Sequence, residues 1–215
     1  IQNPNRNYST SVTTSPTKPP VYCLMITGHS VDRRSFAMKS IQNFFEQSYK
    51  NKHLLIINQS KIPLLQTDYK SVLEVYVNNK NTSLGELRNI SLQLVPPNAI
   101  WTTWDDDDYR DQTYVETMIH EFIEKKCDFL MFQNRLEYNL KNDFAFKLTL
   151  KSGLMTFFAR SNPNLIYDHV STSEDKVIKN YALKNLNVYL YDNNPFLYVR
   201  AIHNSNTSKY VNNDR

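Results

Sequence analysis

The chain has 215 residues, a formal net charge of +4 and 40% hydrophobic residues. This size and composition support one globular domain and argue against a disordered chain or two domains of ordinary size. The positive charge is mild and forms no run rich in Lys or Arg, so we expect no nucleic-acid binding, although an anionic ligand such as a nucleotide diphosphate would suit it. No apolar run approaches the roughly 18 residues of a membrane helix, so no membrane segment is expected.

The two ends of the chain differ from its middle. Residues 1–20 are rich in Ser, Thr, Pro and Asn, which predicts a flexible leader and no signal peptide, and hence a soluble, cytoplasmic protein. The first residue is not Met, which is compatible with a fragment of a longer protein whose upstream segment is missing. We expect a single domain over 21–208 and a polar tail over 209–215. Cys23 and Cys127 lie in or beside apolar runs and are predicted to be buried packing thiols.

The first half of the domain alternates between strand-like and helix-like segments. The apolar run 21–27 predicts a buried strand, and Asp32 is a candidate N-cap for the helix that follows. Ser83 and Glu86 form a capping-box pattern, which predicts a helix to about Val95, where two prolines stop it. The other predicted elements are strands at 53–58, 72–77 and 100–104 and a helix from Asp111 to about Lys126. This alternation predicts a parallel sheet with helices on its faces.

From Asp128 onwards strand-like runs dominate, with one short helix predicted near 174–183. The runs are 128–133, 144–150, 153–159, 187–191 and 196–202. A parallel nucleotide-binding half followed by a mixed half suggests that the donor site comes first and the acceptor site second. The expected fold class is therefore α/β, with a mostly parallel central sheet flanked by helices and a mixed, strand-rich C-terminal acceptor half.

Four adjacent aspartates at 105–108, here called the aspartate cluster, follow the strand that ends at Trp104. Because side chains alternate along a strand, Asp105 and Asp107 should share one face. Two carboxylates at the C-terminal end of such a strand can hold Mg²⁺ or Mn²⁺, and open α/β sheets bind their ligands at that end. The alternative is a solvated acidic loop before the helix at Asp111. Trp104 is a predicted core residue, close enough to the cluster to stack on a sugar or base.

Over roughly 21–208 the chain resembles the family-2-type glycosyltransferases of the Rossmann-like GT-A fold. The matching segments are, in order, VYCLMITGHSVDRRSFAMKSIQNFFEQSYKNKHLLIIN with its "Q-x-Y-x-N" turn, LGELRNISLQLV with "G-x-x-R-N", IWTTWDDDDY with a DxD strand, SGLMTFFARSNPNLIYDHVSTSED, and YVRAIHNSNTS with "R-x-x-H…N-x-S". Each motif is weak alone, but five in this order are fairly specific. The resemblance implies transfer of a sugar, with inversion, from a nucleoside diphosphate sugar to an acceptor hydroxyl.

The resemblance also implies roles for individual residues. Asp107 would be the firmer metal ligand, Asp105 would lie near the ribose and the metal, and Asp108 matches the acidic residue that commonly follows the DxD pair. His203 matches a histidine that approaches the metal or diphosphate in some relatives, although a lone histidine is more often structural. The expected ligands of Mn²⁺ or Mg²⁺ are Asp105, Asp107 and His203. The expected donor-binding residues are Thr27, His29, Arg33, Asn58, Arg88, Asp105 and Asp106.

Asn58 departs from the family pattern, which usually has Asp followed by Gly and Ser at this point. An Asn carbonyl can accept from uracil N3–H and its NH₂ can donate to the neighbouring uracil carbonyl, so UDP is still the expected nucleotide. The alternative is that Asn58 merely ends a strand. Arg88 likewise has a plain alternative as a surface arginine of its helix.

The expected catalytic residues are Asp175 and its neighbour Glu174. An inverting transferase needs one base to take the proton of the acceptor hydroxyl, and the family register favours Asp175. Adjacent helical residues do not share a face, so only one of the pair can serve. The alternative is an ordinary helix N-terminus, since three hydroxyl residues at 171–173 precede the two acids.

Two other functions were weighed. A nucleotidyltransferase needs a Gly-rich loop after its first strand, and here only Gly28 is present, which disfavours it. A binding domain that keeps the fold without activity is favoured to some extent by Asn58 and Gln59, while the intact aspartates and the pair Glu174 and Asp175 argue against it. The acceptor, whether glycan, protein or lipid, does not follow from the sequence.

Overall fold

The computed structural model describes residues 18–28, 30–60, 62–79, 81–151, 153–154, 156–204 and 206. Within these residues the helices are α1 (Val31–Glu46), α2 (Leu84–Leu92), α3 (Tyr114–Glu124) and α4 (Lys176–Asn185). The strands are β1 (Val21–Thr27), β2 (Lys52–Asn58), β3 (Val72–Tyr76), β4 (Ile100–Thr103), β5 (Tyr109–Arg110), β6 (Phe129–Phe132), β7 (Asn134–Asn139), β8 (Phe144–Thr149), β9 (Phe157–Arg160), β10 (Val188–Tyr191) and β11 (Tyr198–Ile202). A short 3₁₀ helix, Pro195–Leu197, leads into β11.

The strands form two sheets. The larger has seven strands in the order β10-β6-β9-β4-β1-β2-β3, and the smaller has four in the order β5-β11-β7-β8. In the larger sheet β1 is parallel to both β2 and β4, β2 is parallel to β3, and only β9 runs antiparallel to its neighbours. The prediction of a mostly parallel central sheet with a mixed second half is confirmed.

The larger sheet buries both of its faces, as the apolar run of β1 predicts. Cys23 and Met25 belong to one core cluster, which also contains Phe44 of α1 and Phe122 of α3, whereas Leu24 belongs to a second cluster. The second cluster includes Trp101 of β4 and Ile178 and Ala182 of α4. Both cysteines are buried and free, so their interpretation as packing thiols is confirmed.

Several element ends differ from the predictions. The N-cap of α1 is Ser30, whose side chain accepts from the backbone N–H of Arg33, and not Asp32. The helix predicted from Asp111 starts only at Tyr114, because the Asp111 carboxylate accepts from both the N–H and the hydroxyl of Thr113 in the preceding turn. α2 ends at Leu92, short of Val95. β5 and β7 were not predicted, because they are short or polar and carry no apolar alternation.

The "Q-x-Y-x-N" turn after α1 ties neighbouring segments together. Gln47 is fully buried, donates to the carbonyl of Asp111 at 2.7 Å and accepts from Val115 N at 3.1 Å. The Tyr49 hydroxyl donates to the carbonyl of Pro19 at 2.6 Å, and Asn51 donates to that of Lys18 at 2.7 Å. The described end of the predicted leader is therefore bonded to the domain, while residues 1–17 and the predicted tail 209–215 lie outside the described residues. In the part described, no helix is long and apolar enough to cross a membrane.

Candidate active site

A cavity of about 780 Å³ lies at the C-terminal ends of β1 and β4 and reaches across to the smaller sheet. Its volume is in the range of sites for small molecules and cofactors. It brings together most of the predicted site residues, although they are spread over the whole chain. Those that line it are Arg33, Arg88, Asp105, Asp106, Asp107, Glu174 and Asp175.

The aspartate cluster adopts a turn rather than the extended strand that we expected. β4 ends at Thr103, and the chain turns at Asp106 and Asp107. As a result Asp106 and Asp107 both reach the Nη1 atom of Arg33, at 2.6 and 2.7 Å, whereas Asp105 contacts Arg88 instead. The predicted same-face pair of Asp105 and Asp107 is wrong, because side chains alternate only while a strand continues.

Asp107 is the most heavily bonded of the four aspartates. Its Oδ2 atom lies 2.7 Å from Arg33 Nη1, 3.0 Å from His203 Nε2 and 3.2 Å from Asn206 Nδ2. Burial alone would raise the pKa of Asp107, but the hydrogen bond with His203 and the charge of Arg33 hold it below its ordinary value. The carboxylate is therefore ionised, and it lies beside an imidazole that comes from just after β11.

The pair formed by Asp107 and His203 fits a divalent cation. Carboxylate oxygen and imidazole nitrogen are both ligands of Mn²⁺-like ions. Adjacent ligands of an octahedral ion with bonds of about 2.1 Å lie about 3.0 Å apart, which is the separation of Asp107 Oδ2 and His203 Nε2. No three His, Cys, Asp or Glu side chains converge among the described residues, so the expected set with Asp105 as third ligand is not assembled. The turn directs Asp105 towards Arg88 instead.

Asp106 and Asp108 are buried and serve different neighbours. Asp108 accepts from the backbone N–H of Ala201 at 3.0 Å and from the hydroxyl of Tyr198, so it joins the cluster to β11 and thereby to His203. Burial raises the pKa of Asp108 to about 7 and that of Asp106 to about 6. Arg33 opposes this rise at Asp106, whose Oδ2 atom has no hydrogen-bond partner among the described residues.

Arg88 links the aspartate cluster to the second carboxylate pair. Its Nη2 atom donates to Asp105 Oδ1 at 3.1 Å, its Nε atom lies 3.5 Å from Glu174 Oε1, and its guanidinium lies 5.2 Å from the ring centre of Tyr167. Its side chain is only 14% exposed, so it is not a solvated surface arginine of α2. Burial raises the pKa of Glu174, and the charge of Arg88 partly offsets this effect.

The rest of the "G-x-x-R-N" motif explains how Arg88 reaches this position. A Cβ atom on Gly85 would lie 1.7 Å from the carbonyl oxygen of Asp168, so only glycine allows α2 to approach the segment 167–170 this closely. Asn89 donates to the carbonyl of Tyr167 at 2.9 Å and accepts from its N–H at 2.8 Å. The motif therefore clamps α2 to the segment that precedes Glu174.

Asp175 occupies the N-cap position of α4, but its side chain makes no capping hydrogen bond. Among the described residues its carboxylate has no hydrogen bond or ion pair, and it lines the cavity. The turn before it includes Ser173 at φ 61°, a left-handed conformation that non-glycine residues seldom adopt. The alternative interpretation of Asp175 as a helix cap thus has no bond to support it.

Asn58 does not lie where a donor ligand was expected. It is fully buried and is not among the residues that line the cavity. Its Nδ2 atom donates to Glu74 at 2.6 Å and to the carbonyl of Ile62 at 3.0 Å, and its Oδ1 atom accepts from Ser60 N at 2.7 Å. Asn58 therefore shapes the loop after β2, and the structure does not bring it to the cavity where the uracil contact was expected.

The remaining predicted residues are placed as follows. Thr27 is 2% exposed, and its hydroxyl lies close enough to Asp106 to lower the pKa of that carboxyl. Trp104 is fully buried and donates to the carbonyl of Ser40, so it is a core residue and does not line the cavity. His29 lies outside the described residues.

A group of charged residues on the smaller sheet was not predicted from the sequence. Arg135 donates to Glu137 through Nε at 3.2 Å and through Nη2 at 2.8 Å, and Arg200 lies 3.6 Å from the same carboxylate oxygen. All three line the cavity on the side of β7 and β11. Arg200 stands in the "R-x-x-H" motif, whereas the polar strand β7 gave no local signal.

Solved structures with the same architecture define the class of fold. S. aureus TarS 1-349 in complex with UDP-GlcNAc matches with a TM-score of 0.68 and 13% identity, over 89% of this chain and 62% of that one. The UDP complex of the same protein matches with a TM-score of 0.65 and 11% identity, over 85% and 60% of the two chains. The chain therefore has the fold of the GT-A glycosyltransferases, as the sequence motifs predicted.

A curated relative points in the same direction. The chain is 23% identical over 158 residues to the glycosyltransferase GlyA of Streptococcus pneumoniae serotype 4. The match covers 69% of this chain and 21% of GlyA, so the chain spans about a fifth of that relative. No family model matches the chain.

Proposed function

We propose that this chain is a metal-dependent, inverting glycosyltransferase domain that moves a sugar from a UDP-sugar to an acceptor hydroxyl. The observation that carries the proposal is the meeting, in one cavity, of Asp107, whose carboxylate contacts His203, with the unbonded carboxylate of Asp175. The similarity to the glycosyltransferase GlyA supports this class of reaction. Neither a nucleotidyltransferase nor an inactive binding domain has a comparable observation in its favour.

A UDP-linked sugar is the donor that the neighbours favour. TarS, whose fold this chain shares, has been solved with UDP and with UDP-GlcNAc. In this chain the carboxylate of Asp105 is 39% exposed, held on one side by Arg88, and could accept hydrogen bonds from a ribose. Since Asn58 is hydrogen-bonded to other groups, the uracil base of the donor would be recognised by other residues near β1 and β2, such as Gln59, which lines the cavity.

Asp107 and His203 would hold Mn²⁺ or Mg²⁺, with diphosphate oxygens completing the coordination. When bound, the cation would neutralise the charge that develops on the leaving diphosphate. Asp108 supports this arrangement indirectly, because its hydrogen bonds with Ala201 and Tyr198 fix β11 relative to the aspartate cluster.

Asp175 is the group that we assign to proton transfer. An acceptor hydroxyl beside it would give its proton to the carboxylate while its oxygen attacks the anomeric carbon. In the same displacement the bond from that carbon to the diphosphate breaks, so that UDP leaves and the configuration inverts. Glu174 cannot take this role as readily, because its carboxylate is 8% exposed and is held by Arg88.

The proposal is tested by measuring UDP release from a panel of UDP-sugars, with Mn²⁺ and with EDTA. We expect release with at least one sugar in Mn²⁺ and background release in EDTA. The Asp107→Asn variant should behave in Mn²⁺ as the wild type does in EDTA. Equal release in Mn²⁺ and EDTA would contradict the metal role, and tight binding of UDP-sugars with no turnover in any condition would favour a binding domain.

A further inference from the structure

The Asp107 oxygen that faces His203 is already occupied by a cation of the protein itself. One nitrogen, Arg33 Nη1, lies 2.7 Å from Asp107 Oδ2 and 2.6 Å from Asp106 Oδ1. The side chains of Arg33, Asp106 and Asp107 are 16%, 5% and 10% exposed, so water screens these contacts little. Within the described residues, Arg33 bonds the carboxylates of two members of the aspartate cluster, whereas Arg88 bonds only that of Asp105 and Arg110 donates to the backbone carbonyls of Asp105 and Asp108.

The same oxygen has more neighbours than it has lone pairs. A carboxylate oxygen offers about two acceptor directions, and Asp107 Oδ2 has three nitrogen neighbours within 3.2 Å. A divalent cation bound there needs one of those directions for a bond of about 2.1 Å. A guanidinium at hydrogen-bond distance from the same oxygen would then be within a few ångströms of the cation, where like charges repel strongly. Arg33 and the cation therefore compete for Asp107.

The side chain of Arg33 can reach a second anionic partner, the diphosphate of the donor. It lies in the first turn of α1, and its backbone is fixed because its N–H donates to the Ser30 cap at 3.2 Å. Its side chain lines the cavity that also receives the nucleotide in our proposal. Arginine binds diphosphate oxygens in the same bidentate manner as it binds carboxylates. The side chain can thus exchange one anionic partner for another without moving the helix.

We propose that Arg33 is an internal counter-ion that blocks the metal-facing oxygen of Asp107 until the donor arrives, and then moves to the donor diphosphate. The inference rests on the proposed metal site at Asp107 and His203. It makes cation and nucleotide bind cooperatively, because the nucleotide withdraws the competing charge. Arg33 is in this sense a positioning residue for the metal, and its effect is measurable without any sugar transfer.

The test is the affinity for Mn²⁺, measured from the signal of free Mn²⁺ in electron paramagnetic resonance, with and without UDP. Without UDP, Arg33→Gln should bind Mn²⁺ about tenfold or more tightly than the wild type, the usual weight of one charge-assisted hydrogen bond. The increase in Mn²⁺ affinity that UDP causes should be correspondingly smaller in the variant. Unchanged Mn²⁺ affinity without UDP would overturn the inference.

Arg34→Gln is the matched control, because it removes the same charge from the same helix turn. Arg34 is half-buried and donates to the carbonyl of Ile62 at 3.4 Å, away from the aspartates. We expect its Mn²⁺ affinity to stay within about twofold of the wild type. An equal gain in both variants would mean that general electrostatics, and not the contact with Asp107, weakens metal binding, and would also overturn the inference.

Two further variants keep the outcome clear. If Arg33→Gln does not fold, the comparison is made between Asp106→Asn and Asp106→Asn with Arg33→Gln, since the double variant leaves fewer carboxylates unpaired. The same gain of about tenfold is expected in that background. Asp107→Asn separates this inference from the proposed function. If Asp107→Asn binds Mn²⁺ in the presence of UDP as tightly as the wild type, the proposed metal site itself is wrong. If Asp107→Asn loses Mn²⁺ affinity but Arg33→Gln does not gain it, only the role of Arg33 is contradicted.

Discussion

The two walls of the cavity hold their carboxylates in different ways. On the donor wall, defined as the aspartate cluster with Arg33 and Arg88, three of the four aspartates contact an arginine. On the acceptor wall, defined as Glu174 and Asp175 with the residues of β7 and β11 that line the cavity, Asp175 has no such partner within the described part of the chain. The carboxylates of Asp105, Asp106 and Asp107 are paired with arginine cations, while the one that would accept a proton keeps its lone pairs available.

Arg88 joins the two walls, so they are not independent. It contacts Asp105 on the donor wall and Glu174 on the acceptor wall. α2 brings it there because Gly85 and Asn89 fasten the helix to the segment 167–170. The short helix α2 thus helps to fix the distance between the aspartate cluster and Asp175. Because α2 packs closely on the segment 167–170, changes to this helix should have the largest effects on stability.

Gly85→Ala should have the largest effect. A methyl group would overlap the backbone oxygen of Asp168 at 1.7 Å, and a backbone atom cannot rotate away as a side chain can. We expect a loss of roughly 3 kcal/mol or more in the free energy of unfolding, the upper range for overpacking. Gly28→Ala is the control, because its nearest neighbour would be Arg33 Cγ at 3.8 Å, an ordinary contact. Equal melting temperatures for Gly85→Ala and the wild type would mean that α2 does not pack as described.

Arg88→Met should cost less, but it should affect both walls. It leaves the buried Glu174 without its cation, and loss of one partner of a buried ion pair typically costs about 3 kcal/mol. Asp105 is 39% exposed and can be solvated instead. Denaturant unfolding of Arg88→Met, Glu174→Gln and the double variant measures the coupling between the two residues. Strict additivity of the three values would show that the contact at 3.5 Å carries no energy.

Asp106→Asn should change how stability depends on pH. Its pKa of about 6 in the folded chain lies above the ordinary value of 3.8, so the folded state binds more protons between those values. Asp106 therefore lowers stability as the pH rises from about 4 to about 6. Because the variant lacks this titration, its free energy of unfolding relative to the wild type should rise by up to about 3 kcal/mol across that window.

A second aspartate provides the opposite sign for comparison. Hydrogen bonds from Thr113 lower the pKa of Asp111, so its contribution is present at neutral pH and is lost as the pH falls through that lowered value. Asp111→Asn should therefore lose stability relative to the wild type as the pH rises, which is the reverse of Asp106→Asn. Denaturant unfolding between about pH 2 and pH 8 covers the windows of both residues, below about pH 4 for Asp111 and from about 4 to about 6 for Asp106. Slopes of the same sign would mean that burial does not control Asp106.

Local signals predicted much of the fold and part of the site. The apolar run of β1, the capping box at Ser83 and Glu86 and the buried β4 each depend on residues close in the chain, and all three were confirmed. The order of strands and helices was then enough to bring the ends of β1 and β4 together. The location of the aspartate cluster after β4 was likewise predicted from local sequence.

The errors arose where contacts between distant residues decide the geometry. Asn58 is turned away from the cavity by Glu74, a partner on the next strand. Asp106 turns towards Arg33, which lies 73 residues earlier, so the alternation of a strand no longer applies to it. Nothing in the local sequence of β7 indicates that Glu137 would contact Arg200 on the adjacent strand β11.

The central claim is that Asp175, left without a partner on the acceptor wall, takes the proton of the acceptor. The most direct test is the rate of sugar transfer by Asp175→Asn, measured beside its melting temperature and its affinity for UDP with Mn²⁺, with Glu174→Gln as the neighbouring control. We expect the rate to fall by roughly two to four powers of ten, the usual contribution of general base catalysis, with little change in melting temperature or UDP affinity. Glu174→Gln should lose less activity. Transfer by Asp175→Asn at the wild-type rate, or a parallel fall of stability, binding and rate, would contradict the claim.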